Sequence, residues 1–135
     1  MQYIGSGKHR INAHVEINSF SPAGEPIFLK DSTTLDNIVI SEDCLVEKII
    51  VTSAVDHLNN LEAHVYLGTV EYPQKYIGSP DKITGQTLKD SYYSKSFEMY
   101  GATELKPQEL IFTSNVGLES GTINFSIKCT EFNLS

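Results

Sequence analysis

A chain of 135 residues, 40% hydrophobic and 20% charged, has the size and make-up of one globular domain that buries a core without a metal or disulfide staple. Its formal net charge of −7 sets it against phosphate backbones and anionic lipid surfaces, so neither nucleic acid nor membrane is expected as a partner. The ten Lys and Arg are scattered singly, and no stretch approaches the ~20 apolar residues of a membrane span.

Residues 1–8 hold two Gly and one Ser ahead of any periodic segment, and read as a flexible N-terminal arm before a single domain over 9–135. The stretch Ile4–Lys8 (IGSGK) lacks the spacing of a phosphate-binding loop, and a strand follows it. In Arg10–Ile17, Ile11, Ala13, Val15 and Ile17 alternate with Asn12, His14 and Glu16, which predicts a strand with one face on a core. Pro22, Gly24 and Pro26 mark a turn, and Ile27–Leu29 is a short apolar run. Leu35–Ser41 predicts a strand, and Leu45–Val55, rich in Val, Ile and Thr, a stronger one. After the polar turn Asp56–Asn60, alternation resumes through Leu61, Ala63, Val65 and Leu67, so Leu45–Gly68 reads as a long antiparallel hairpin.

Glu71–Ser91 differs. With Pro73, Gly78, Pro80 and Gly85 and few aliphatic residues, it predicts a long loop of the functional or mobile kind. Asp81–Asp90 has room for one short helical turn, which Gly85 weakens. Tyr92–Tyr100, Leu105–Thr113 and Gly121–Phe132 complete the strands. About eight strands without amphipathic helices predict an all-β fold, an antiparallel jelly-roll-like β-sandwich.

No catalytic motif emerges. His9, His14, His57 and His64 lack zinc-ligand spacing with one another or with Cys, and there is no nucleophile elbow, P-loop or dinucleotide fingerprint. His14 and His64 fall on the polar phase of their strands and read as solvent-facing. Cys44 and Cys129 read as two small apolar residues, with a bridge between them left open. The carboxylates Glu42, Asp43, Glu71, Asp81, Asp90, Glu98, Glu104 and Glu109 read as a solvated acidic surface. No enzyme activity, cofactor or metal is expected. Tyrosine is more pointed: of the seven, Tyr66, Tyr72, Tyr76, Tyr92, Tyr93 and Tyr100 crowd residues 66–100. A flat apolar ring with a polar tip suits loop packing, a subunit interface or stacking on sugar, and all three readings stand.

Residues 40–70, ISEDCLVEKIIVTSAVDHLNNLEAHVYLGTV, resemble a module of tailed-bacteriophage virion proteins of the head-fibre, decoration and fibre-head type. There a strand ending Ile-Pro leads into V-x-K-x-x-V-x-V, then a polar turn and an alternating strand closing on V-G-T. Ile40, Val46, Lys48, Ile50 and the run Val65–Thr69 (VYLGT) stand at those positions, and Glu119–Ile127 (ESGTINFSI) is similar to the module's finish. Ser41 replaces the usual proline, and Asp56–Asn60 lacks the usual aromatic and Asp-Gly. The resemblance implies a jelly roll, commonly trimeric, displayed on a particle. The expected function is therefore a structural component of a phage particle: a capsid decoration, spike or fibre-head protein. Its expected partners are itself as a homotrimer and other virion proteins, major capsid or fibre, with the arm 1–8 reaching a neighbour. With no signal peptide visible, it is expected to be made in the host cytoplasm and to reside in the virion. The alternative, resting on the tyrosines, is a carbohydrate-binding module or adhesin that recognises a host surface glycan.

Overall fold

The period-two segments become the three longest strands, β1 (Tyr3–Ile17), β5 (Cys44–Thr52) and β9 (Gly121–Leu134), lying side by side. The computed structural model describes the backbone of residues 3–53, 55–98 and 103–134, and the side chains of 10–130 within those ranges. The shorter strands are β2 (Ile27–Phe28), β3 (Lys30–Asp31), β4 (Val39–Ile40), β6 (Val65–Thr69), β7 (Tyr93–Ser96) and β8 (Gln108–Ser114). They form two antiparallel sheets. The larger runs β3-β1-β9-β5-β7, and in the smaller β8 pairs with β2, β4 and β6. The fold is the antiparallel β-sandwich that the alternation predicts, with nine described strands because Lys30–Asp31, in a segment read as polar, also pairs with β1.

Consecutive strands fall in opposite sheets from β1 to β9. Every connection therefore crosses the sandwich, and that overturns the hairpin expected over Leu45–Gly68. β5 pairs with β9 and β7 in the larger sheet, while β6 pairs with β8 in the smaller. Alternation places each segment half on a core, which holds equally for strands that pair and for strands that face each other across it. The link between them crosses one end of the sandwich and plugs it with Leu58, 2% exposed, and Ala63, fully buried.

The core lies between the sheets. Ala13, Val15 and Ile17 of β1 and Ile123, Phe125 and Ile127 of β9 face Val65 and Leu67 of β6 and Leu110 and Phe112 of β8. Each fully buried aliphatic or aromatic side chain is worth about 1.5–3 kcal/mol of transfer free energy. A register shift between Val46 and Lys48 interrupts the alternation of β5, so Val46, Ile49 and Val51 all point inward. Tyr3–Lys8, expected as an arm, runs on as β1 and pairs with the end of β9, Lys8 opposite Thr130 and Tyr3 opposite Leu134.

The long Glu71–Ser91 segment is packed. The Tyr76 and Ile77 amides donate to the Leu67 carbonyl, Leu67 donates back to Ile77, and Val65 donates to Ile83. The segment thus lines the outer edge of β6, the place a further strand would take, and covers backbone groups that would otherwise invite pairing. A helix does form, α1 (Gly85–Asp90), with Thr84 as its N-cap accepting from the Thr87 amide at 3.2 Å. Gly85 opens it for steric reasons: a Cβ there would stand 2.9 Å from the Asn60 carbonyl oxygen and 3.1 Å from Leu61 Cα.

Candidate functional site

The tyrosines scatter. Tyr76 is fully buried, edge-on to Phe97 with ring centroids 5.8 Å apart. Its hydroxyl donates to Glu104 Oε2 at 2.5 Å, and Lys75 Nζ lies 2.6 Å from the same oxygen. Burial, then the Glu104 carboxylate, drives the Tyr76 phenol far above its ordinary pKa. Tyr93 sits at the core margin and donates to Asp81 Oδ1 at 2.7 Å; burial and that carboxylate push its pKa up to about 12. Asp81 is itself held below the ordinary carboxylate value. Burial works against its ionisation, but the Gly78 amide, the Tyr93 hydroxyl and the Lys95 ammonium 3.1 Å away outweigh it. These two tyrosines pin the 71–98 segment to the sandwich. Tyr66 is half-buried on β6 opposite Thr113. Tyr72 and Tyr92 are 60% and 65% exposed, and Tyr100 lies outside the described residues.

The described histidines do not gather into a metal site, and the His9 side chain lies outside the described residues. His14 Nδ1 meets Ser32 Oγ at 3.2 Å, and His57 Nδ1 meets the Ser53 carbonyl at 2.7 Å. Among the described residues no His, Cys, Asp or Glu side chains gather in threes as a metal site would need, and no helix is long and apolar enough to cross a membrane. Cys44 and Cys129 are buried on adjacent strands. Glu104, expected in a solvated surface, is instead 6% exposed.

What the molecule offers is outer surface. On the side of the smaller sheet away from the core, Phe28, Ile111 and Gly68 form one cross-strand row in which Ile111 and Gly68 are covered, while Val39 in a neighbouring row is 51% exposed. The Tyr72–Pro73 turn closes over Gly68, where a Cβ would come 2.2 Å from the Tyr72 carbonyl oxygen.

The larger sheet turns out small polar residues. Asn12, Ser126, Ile50 and Thr52 border a shallow depression of about 300 Å³. One row beyond it, Arg10 stands directly opposite Lys128, and Lys128 directly opposite Lys48.

The two phage structures are the decisive comparison. The fold is that of phage capsid structures. One chain of the cyanophage Pam1 capsid asymmetric unit superposes with a TM-score of 0.63 at 8% identity, over 99% of this chain and 90% of that one. A chain of the acidic stable capsid structure of Helicobacter pylori bacteriophage KHP30 gives 0.59 at 12% identity, over 99% and 94%. No protein-family model and no curated protein matches the sequence. At these identities the likeness lies in architecture, and nearly the whole length of each chain takes part.

Sequence reasoning singled out tyrosines and missed the row of cations. The three stand on three different strands, each tens of residues from the next. Only the β1-β9-β5 pairing brings them together.

Proposed function

We propose that this chain is a structural component of a bacteriophage particle, a capsid decoration, spike or fibre-head protein that joins copies of itself and other virion proteins without catalysing a reaction. The observation that carries the reading is the end-to-end likeness of the fold to chains of two phage capsid structures. Jelly rolls serve capsids because stiff sheets present broad flat sides to neighbours while loops vary at the ends. The exposed Val39, Tyr72 and Tyr92 are surfaces of the sort a subunit seam uses. The carbohydrate-binding alternative draws less support, because Tyr76 and Tyr93 are engaged inward rather than presented for stacking.

The test is direct. Particles purified from cells carrying this gene and its neighbours should contain the chain in stoichiometric amount by mass spectrometry. Cryo-electron microscopy should place its sandwich at symmetry-related positions, a three-fold axis being expected. Particles that assemble fully and contain none of it would reject the role.

A further inference from the structure

The row Arg10–Lys128–Lys48 crosses three adjacent strands on the outer face of the larger sheet. With strands about 4.8 Å apart, its Cα atoms span roughly 10 Å. Like charges directly opposite in a sheet are destabilising, so the row works against folding. Among the described residues no ion pair joins any of the three. Glu47 lies on β5 beside Lys48 and accepts instead from the Thr130 hydroxyl at 3.0 Å. A chain of net charge −7 thus places three of its ten cations in one line and leaves them facing outward.

The opposite charge is segregated too. Three loops lace together at the far end of β1. The Ser21 and Leu118 backbones exchange hydrogen bonds of 2.7 and 2.9 Å, Asn59 donates to Ser120, and Thr122 donates to Asp56. Residues 17–26, 53–64 and 114–121 contain no Lys or Arg at all. They expose Glu25, Asp56, Glu62 and Glu119. Beside these carboxylates stand Val55, 83% exposed, and Phe20, 64% exposed. A loop end with two exposed apolar side chains, four exposed carboxylates and no Lys or Arg in its loops matches a shallow depression bordered by Ile50 and flanked by cations.

We propose that the Arg10–Lys128–Lys48 face of one copy receives the acidic loop end of a second copy. The contact is head-to-side and joins two different surfaces, so repetition closes into a ring where the rotation permits. The occupant is a second copy because its loop end supplies matching charge and apolar tips, whereas a nucleic acid is repelled by the chain's overall charge. The inference rests on the proposed assembly role and gives it an interface.

Sedimentation velocity and light scattering test it, on wild type and three variants: K48E/K128E, D56K/E119K, and the quadruple combination. All the changes lie on outward positions, and matching melting curves establish that each variant folds; K48Q/K128Q serves where a reversal does not fold. Each double variant should weaken self-association at least roughly tenfold, as facing like charges do. The quadruple variant should restore it, since its reversed face meets a reversed loop end. Wild-type association should also weaken towards 1 M salt, where the Debye length falls to about 3 Å. Double variants that associate like wild type, or a folded quadruple variant that stays as weak as they are, overturn the interface. Should those variants still enter particles, the virion role stands without it; a wild type absent from particles rejects the role separately. Binding of a single-stranded oligonucleotide that K48E/K128E abolishes, with self-association unchanged, overturns the inference and assigns the row to nucleic acid.

Discussion

Tyr76 joins a core ring to a buried polar contact. Its ring is core and its hydroxyl feeds a carboxylate that is almost wholly enclosed. Replacing Tyr76 with Phe removes that donor while Glu104 keeps only Lys75, and the cost should be about 1–3 kcal/mol by urea unfolding. The Asp81–Tyr93 contact makes a pH signature at both extremes. Asp81 is depressed in the fold, so between its ordinary value of 3.8 and the lower folded one the unfolded chain binds more protons. Stability should therefore fall as pH drops below about 4, and D81N should flatten that part of the profile. Tyr93 is raised from 10.0 to about 12, so its contribution is complete below pH 10 and lost through 12. Unfolding midpoints of wild type and Y93F should converge over that alkaline window. None of this was legible beforehand, because a tyrosine's sequence neighbours do not say whether its hydroxyl points at water or at Glu104.

At the scale of the element, the Glu71–Ser91 segment is the part least visible from sequence. Its prolines and glycines read as a loop, yet it supplies Tyr76, Ile77, Ile83 and Leu88 to the core. The signal was spread over single apolar residues with no period, since the backbone follows the edge of β6 only in short bridges. Gly68 fixes this arrangement by letting the Tyr72–Pro73 turn lie against β6. Gly68→Ala should force that turn away and cost about 1–3 kcal/mol, as overpacking does, with amide exchange across 71–84 accelerating first. β9 and the second half of β1 were legible almost residue for residue, because strict alternation admits one reading, while Tyr3–Lys8, with two Gly and no alternation, was not. β5 and β6 were legible as strands and misread as partners.

For the whole molecule, the sandwich class came through while the pairing did not. Alternation reports which side of a strand is wet; it is silent on which strand lies next door. The same gap hid the charged row, whose members are separated by 38 and 80 positions in sequence and meet across two pairings. Two unlike sides result: the smaller sheet, where Ile111 and Gly68 are covered while Val39 stands exposed, and the larger sheet, a polar face with a line of cations. With an acidic loop end besides, the molecule has a direction.

The placement of β9 bears on how the sandwich forms. β9 lies between β1 and β5 at the centre of the larger sheet, although it is the last of the described strands. During synthesis the first strand waits for the last, so the larger sheet closes only after about a hundred further residues have emerged, a contact pattern typical of slow folding. Until then β1 and β5 carry bare edges and uncovered apolar faces, the features that bind chaperones or aggregate. A chain in which β9 has not yet paired therefore lacks the Arg10–Lys128–Lys48 row, the face proposed to receive a second copy.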